Sequence, residues 1–133
     1  EKVRKIILVC TLALALAGAE CSPYLRLAVT GAKSALNQIE DENIKVTEVS
    51  CKDEIITYEY VFKNSQNINW ETISDEYEKE FASSMKELLT EEFCSDKNTL
   101  MLLQKAKSIV MNYRIPNGAL FGKVELTAKD CEK

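Results

Sequence analysis

The chain contains no histidine. That absence removes the side chain most often used for proton transfer near neutral pH, and a Ser-His-Asp hydrolase triad goes with it. Glycine is scarce as well, and Gly18, Gly31, Gly118 and Gly122 are too dispersed to form a loop that cradles a phosphate. The five cysteines include no C-x-x-C pair, so a thioredoxin-like redox site lacks its motif. Zinc would need scattered cysteines or carboxylate help, again without paired ligands. Basic side chains are outnumbered, 17 against 21 acidic ones, which argues against a nucleic-acid partner. Nothing in this inventory asks for a cofactor, and no catalytic or metal-binding constellation emerges.

What is present begins with Lys2, Arg4 and Lys5, which precede an apolar run from Ile6 to Ala17 broken only by Thr11 and followed by Gly18 and Ala19. This is the layout of a cleavable secretory signal over residues 1–19, with cleavage expected after Ala19 and a periplasmic or secreted product. At about 1.5 Å per residue the run covers about 18 Å, short of the roughly 30 Å of a bilayer core, so no transmembrane segment is expected in the mature chain. Glu20 occupies the place where a lipid-attachment signal puts a small residue before its cysteine, which disfavours a lipid anchor at Cys21.

Without residues 1–19 there remain 114 residues, with 20 acidic against 14 basic side chains, the size of one domain spanning 20–133. Cys10 leaves with the signal. Cys21, Cys51, Cys94 and Cys131 remain, an even number that suits disulfides formed in an oxidising compartment. Four cysteines allow three pairings.

The hydrophobic pattern gives the elements. Leu25, Ala28, Val29, Ala32, Leu36 and Ile39 recur at helical spacing after Pro23, with Ser22 as a candidate N-cap. Ile44 to Cys51 and Glu54 to Lys63 are rich in β-branched and aromatic residues and predict a hairpin turning at Lys52-Asp53. Tyr77, Phe81, Met85, Leu88 and Leu89 predict a long helix from Ser74 to Phe93, with Thr72 or Ser74 as its cap. Ser95-Asp96 can cap a short helix through Leu100, Leu103 and Ala106. A second hairpin follows, with Ile109, Met111 and Tyr113 on one strand, Asn117-Gly118 at the turn, and Leu120 to Leu126 on the other. The order α-β-β-α-α-β-β predicts a single α+β domain with an antiparallel sheet of about four strands and the helices on one face.

Several residues invite a second reading. Asp75, Glu76, Glu78 and Glu80 could supply paired carboxylates for glycoside cleavage, but acidic first turns of a helix explain them. Trp70 could anchor a partner, or fix the entry to the long helix as a staple. Gly122 inside a strand marks a bulge or a close approach. Tyr58, Tyr60 and Phe62 share a strand face, which packs as core or lines a groove.

From Phe81 onwards, the run Phe93-Cys94-Ser95-Asp96, the turn Leu100 to Leu103, Tyr113-Arg114-Ile115, Gly118, Val124-Glu125-Leu126 and Cys131 resembles the C-terminal half of the small pilotins of type II secretion, the GspS-beta class. The resemblance implies a disulfide between Cys94 and Cys131, leaving Cys21 for Cys51. It also implies an exported, non-catalytic accessory protein that holds a helical C-terminal segment of a secretin, or another envelope partner, in an apolar groove. Glu20 departs from the family, whose members are lipoproteins. The alternative is a small secreted enzyme or enzyme inhibitor working through carboxylates or tyrosines.

Overall fold

The computed structural model describes residues 21–36, 40–73 and 75–132. The expected signal at residues 1–19, the expected helix end at Gln38 and Ile39, and the candidate cap Ser74 lie outside these residues. The elements are helix α1 (Pro23–Ser34), strands β1 (Ile44–Lys52) and β2 (Ile55–Phe62), a 3-10 turn (Trp70–Thr72), helices α2 (Asp75–Ser95) and α3 (Lys97–Lys105), strands β3 (Ser108–Arg114) and β4 (Leu120–Leu126), and a 3-10 turn (Ala128–Cys131). This is the α+β order expected from the pattern.

The sheet corrects one expectation. Its strand order is β1-β2-β3-β4, and both hairpins are antiparallel, but the central pair β2–β3 is parallel, so the sheet is mixed. The cause is the connection: the chain between Phe62 and Ser108 travels through α2 and α3, and a crossover of that length returns the chain to the end where β2 began. Alternation shows which side chains share a face, and it carries no information on how two hairpins are joined.

Three cross-strand rows set the face on which the helices lie. Cys51, Ile56, Ile109 and Leu126 form the first; Val49, Tyr58, Met111 and Val124 the second; Val46, Tyr60, Tyr113 and Gly122 the third. Most of these belong to the core, together with Leu25 and Val29 from α1, Leu103 from α3, and the aromatic residues Phe62, Trp70 and Phe121. On the opposite face Glu59 takes Asn112 Nδ2 at 2.9 Å and Arg114 Nε at 3.1 Å, which ties β2 to β3 by their side chains.

The first hairpin turns at Asp53 and Glu54, one residue later than the sequence suggested, with φ of 54° and 64°. Positive φ at both positions is the geometry of a tight hairpin turn, and neither residue is the glycine such a turn prefers. Glu54 has another duty: its Oε1 accepts the Ser22 N–H at 2.6 Å, and its carbonyl accepts the Lys107 N–H at 2.7 Å. The turn thus pins the start of α1 and the entry to β3. Asp96 caps α3, its Oδ2 accepting the Thr99 N–H at 3.1 Å. Disulfides join Cys21 to Cys51 and Cys94 to Cys131, with Cα–Cα distances of 6.0 and 5.5 Å.

Candidate partner-binding site

Helix α1 packs on β1 and α2 packs on β4, while α3 touches both helices at one end. The two long helices hardly meet one another, so the middle of the sheet lies in the gap between them. Tyr58 and Tyr60 occupy that strip and are only half-buried. Tyr60 stacks between Tyr58, 6.2 Å away, and Tyr113, 4.8 Å away; Tyr113 stacks on Phe62 at 5.8 Å, and Phe62 on Trp70 at 4.1 Å. The result is a continuous aromatic ladder across β2 and β3.

The hydroxyls of Tyr58, Tyr60 and Tyr113 bond to no described residue. Their surroundings are dry. Burial pushes the Tyr58 hydroxyl above its ordinary pKa. It pushes Tyr60 up to about 12, with the charges of Tyr58 and Glu92 adding to the effect. Tyr113 rises for the same reason, burial first, then Tyr60 and Glu92.

Because Glu92 acts on both Tyr60 and Tyr113, the face of α2 that carries it looks over the aromatic strip. Leu88 lies one turn earlier on that face and is 59% exposed. On α1, Leu27 is 73% exposed, but it lies on the side of the helix turned away from the buried Leu25 and Val29. Leu27 and Leu88 are the most exposed large apolar side chains among the described residues. Helix α2 contributes Phe81, Met85, Leu89 and Phe93 to the packing, yet none of its described residues is fully buried. This 21-residue helix thus leaves part of its apolar stripe open.

Other residues marked in the sequence have different fates. Trp70 is a core residue, its Nε1–H donating to the Lys63 carbonyl at 3.1 Å. Asp75, Glu76 and Glu78 fill the first turn of α2, where the positive end of the helix favours them. At Gly122 the register slips, between Tyr113 and Arg114, as a bulge would have it; what comes close is the side-chain ring of Phe81 and not another backbone. Tyr58 and Tyr60 pack against the core and also floor the strip. Glu92 was not distinguished by the sequence, because spacing along a helix says nothing of which stripe a neighbouring helix leaves uncovered. No helix of the described residues is long and apolar enough to cross a membrane, and none of their acidic and cysteine side chains cluster to hold a metal ion.

No family model matches the sequence. No curated protein matches it either. Solved structures do. The pilotin EpsS of the Vibrio vulnificus type 2 secretion system superposes with a TM-score of 0.55 at 17% identity, covering 80% of this chain and 90% of its own. The type II secretion pilotin AspS of Vibrio cholerae gives 0.51 at 17% identity over 90% of this chain and 98% of its own. A protein of Pseudomonas aeruginosa described as secreted gives 0.53 at 10% identity over 78% of this chain and 92% of its own. The chain therefore has a pilotin-like fold, and the likeness extends well beyond the C-terminal half in which the residue pattern suggested it.

Proposed function

We infer that this is an exported, non-catalytic binding protein of the pilotin kind, whose aromatic strip between α1 and α2 receives an amphipathic helical segment of an envelope protein. The segment favoured is the C-terminal helix of a secretin, the partner implied by the sequence resemblance. One observation carries the reading: Leu88 stands exposed on α2 beside a half-buried floor of Tyr58 and Tyr60. A helix laid into such a gap would bury its apolar side against Leu88 and the tyrosine rings, and helix-in-groove recognition needs no catalytic group. The free tyrosine hydroxyls can meet polar atoms at the margin of that helix, and Glu92 can meet a basic side chain. Two disulfides and the expected signal at residues 1–19 support export. The same signal sets the mature domain at 20–133.

The alternative is an enzyme or inhibitor using carboxylates or tyrosines. Glu40 is held down by Lys63, and Asp41 by the N–H groups of Asn43 and Ile44, so these two are not poised as acids. Tyrosines raised by burial stay protonated at neutral pH, so they supply no phenolate base there.

The test is calorimetric titration of the oxidised mature chain with synthetic peptides covering the C-terminal segments of the secretins encoded in its own genome. Binding is expected, weakened at least about tenfold by Leu88→Asp, since a charge would then have to enter an apolar interface. Leu88 is exposed in the free protein, so melting should barely change. Absence of affinity for every peptide would overturn the reading.

A further inference from the structure

β4 is an edge strand, pairing with β3 and with no strand beyond it among the described residues. In an antiparallel pair every second residue aims its N–H and C=O away from the neighbour. For Leu120–Leu126 none of those outward groups bonds to a described residue. The opposite edge is blunted: β1 is bulged between Val46 and Glu48 and exposes Lys45, Glu48 and Lys52. β4 also slips register once, between Leu120 and Gly122, and is unbroken from Gly122 to Leu126.

Beside this open edge α2 forms a wall. Two crevices of about 470 and 490 Å³ follow the junction of α2 and β4 and meet at Ala82 and Lys123. The second leads past Glu87 into a cavity of about 560 Å³ lined by Glu87, Glu91 and the Cys94–Cys131 disulfide. A flat strand edge, a helical wall and a channel between them are the parts that strand-addition sites use: main-chain bonds give affinity, and the channel takes alternate side chains.

We propose that the edge of β4 binds an extended peptide segment of a partner protein as a fifth strand, with a basic side chain of that segment lying against Glu87 and Glu91. The charge follows from α2 itself. Glu87 and Glu91 are one turn apart, a spacing at which like charges repel, and neither forms an ion pair with a described residue; Lys86, the nearest cation in sequence, is engaged by Asp130 at 3.6 Å. Ala82 and Ser83 keep the middle of the wall low, leaving room for a partner's apolar side chain.

A second copy of this chain does not fit the same edge. α2 sits on β4 itself, with Ala82 3.8 Å from a Cβ built at Gly122. Two copies joined edge to edge would place their β4 strands about 4.8 Å apart and the helices above them at similar spacing, whereas packed helix axes need about 8–10 Å. A lone strand brings no helix with it. This site lies along the outer edge of the sheet, apart from the aromatic strip, and stands whatever occupies that strip.

The experiment is selection from a random decapeptide display library on the oxidised mature chain, followed by synthesis of the enriched sequence. Alternating apolar residues with Lys or Arg near one end are expected. N-methylation at successive peptide nitrogens should weaken binding about tenfold or more at every second position and little between them, the signature of ladder hydrogen bonds. Amide exchange should slow in β4, and Glu87→Gln with Glu91→Gln should weaken the basic peptide several-fold. The proposal is overturned by a library without enrichment, by N-methyl effects that do not alternate, by protection confined to β2, or by self-association that protects β4 in the free chain.

Discussion

A Cβ placed on Gly122 would lie 3.1 Å from Cδ1 of Phe81. The ring cannot readily give way, because it packs edge-on to Phe62, Tyr113 and Phe121 at 5.2–5.4 Å. Gly122→Ala should therefore destabilise the domain by about 1–3 kcal/mol through overpacking, although alanine is ordinarily the better residue in regular structure. In a domain of this size that is a fall of roughly 4 °C or more in Tm, measurable by thermal circular dichroism. Gly122→Ala combined with Phe81→Leu should recover part of the loss; a single mutant as stable as the parent would show that α2 slides freely on β4.

That relationship also shows where the sequence stopped being legible. An isolated glycine among alternating apolar residues marks a close approach, and the approach is real, but no pattern could name Phe81 as the group on the other side. The strands and helices were readable because burial on one face imposes period 2 or 3.6 wherever it occurs. The parallel pairing of β2 with β3 was not readable, since both directions of joining place Tyr58, Tyr60 and Tyr113 on the same face. Leu88 shows the same limit from the side of the candidate site. It continues the apolar stripe of α2 and looks like core in the sequence, yet it is exposed because α1 stands over β1 and does not reach it.

Glu54 sets two effects against each other. Replacing it with glycine would relieve a left-handed backbone worth about 1–2 kcal/mol and produce the Asp-Gly pair that tight hairpin turns favour. It would also remove the carboxylate that accepts the Ser22 N–H at 2.6 Å, a charged hydrogen bond worth about 1.5–3 kcal/mol, and add glycine's unfolded-state entropy of about 0.5–1 kcal/mol. The bond outweighs the strain. Glu54→Gly should thus lower stability by about 1 kcal/mol in urea denaturation, and an increase in stability would mean that the contact with Ser22 contributes little.

The bridge between Cys94 and Cys131 closes a loop across a sequence separation of 37 residues and ties the end of α2 to the final 3-10 turn. Restricting the unfolded chain to that extent is worth roughly 3–4 kcal/mol. Replacing both cysteines with alanine should lower Tm by on the order of 10 °C. Equal melting curves for parent and double mutant would rule out a stabilising bridge at these positions.

The aromatic ladder makes the domain sensitive to alkali in a defined window. Burial raises Tyr60 to about 12, against an unfolded value near 10, and raises Tyr58 and Tyr113 as well. Between those values the unfolded chain has lost protons that the folded chain still holds, so stability falls as pH rises. Below pH 10 both states carry neutral tyrosines and the contribution is fully present. It is lost progressively from about pH 10 to about pH 12 as the unfolded chain ionises. Urea midpoints measured across that range should decline, and Tyr60→Phe should flatten the decline because its ring keeps the stacking with Tyr58 and Tyr113 and no longer ionises. Absorbance at 295 nm should show late-titrating tyrosines in the folded protein, with one fewer in the mutant. If a helical peptide binds over the strip, it should delay their ionisation further by removing the remaining water from these hydroxyls. A peptide that binds without moving the titration would have to sit elsewhere.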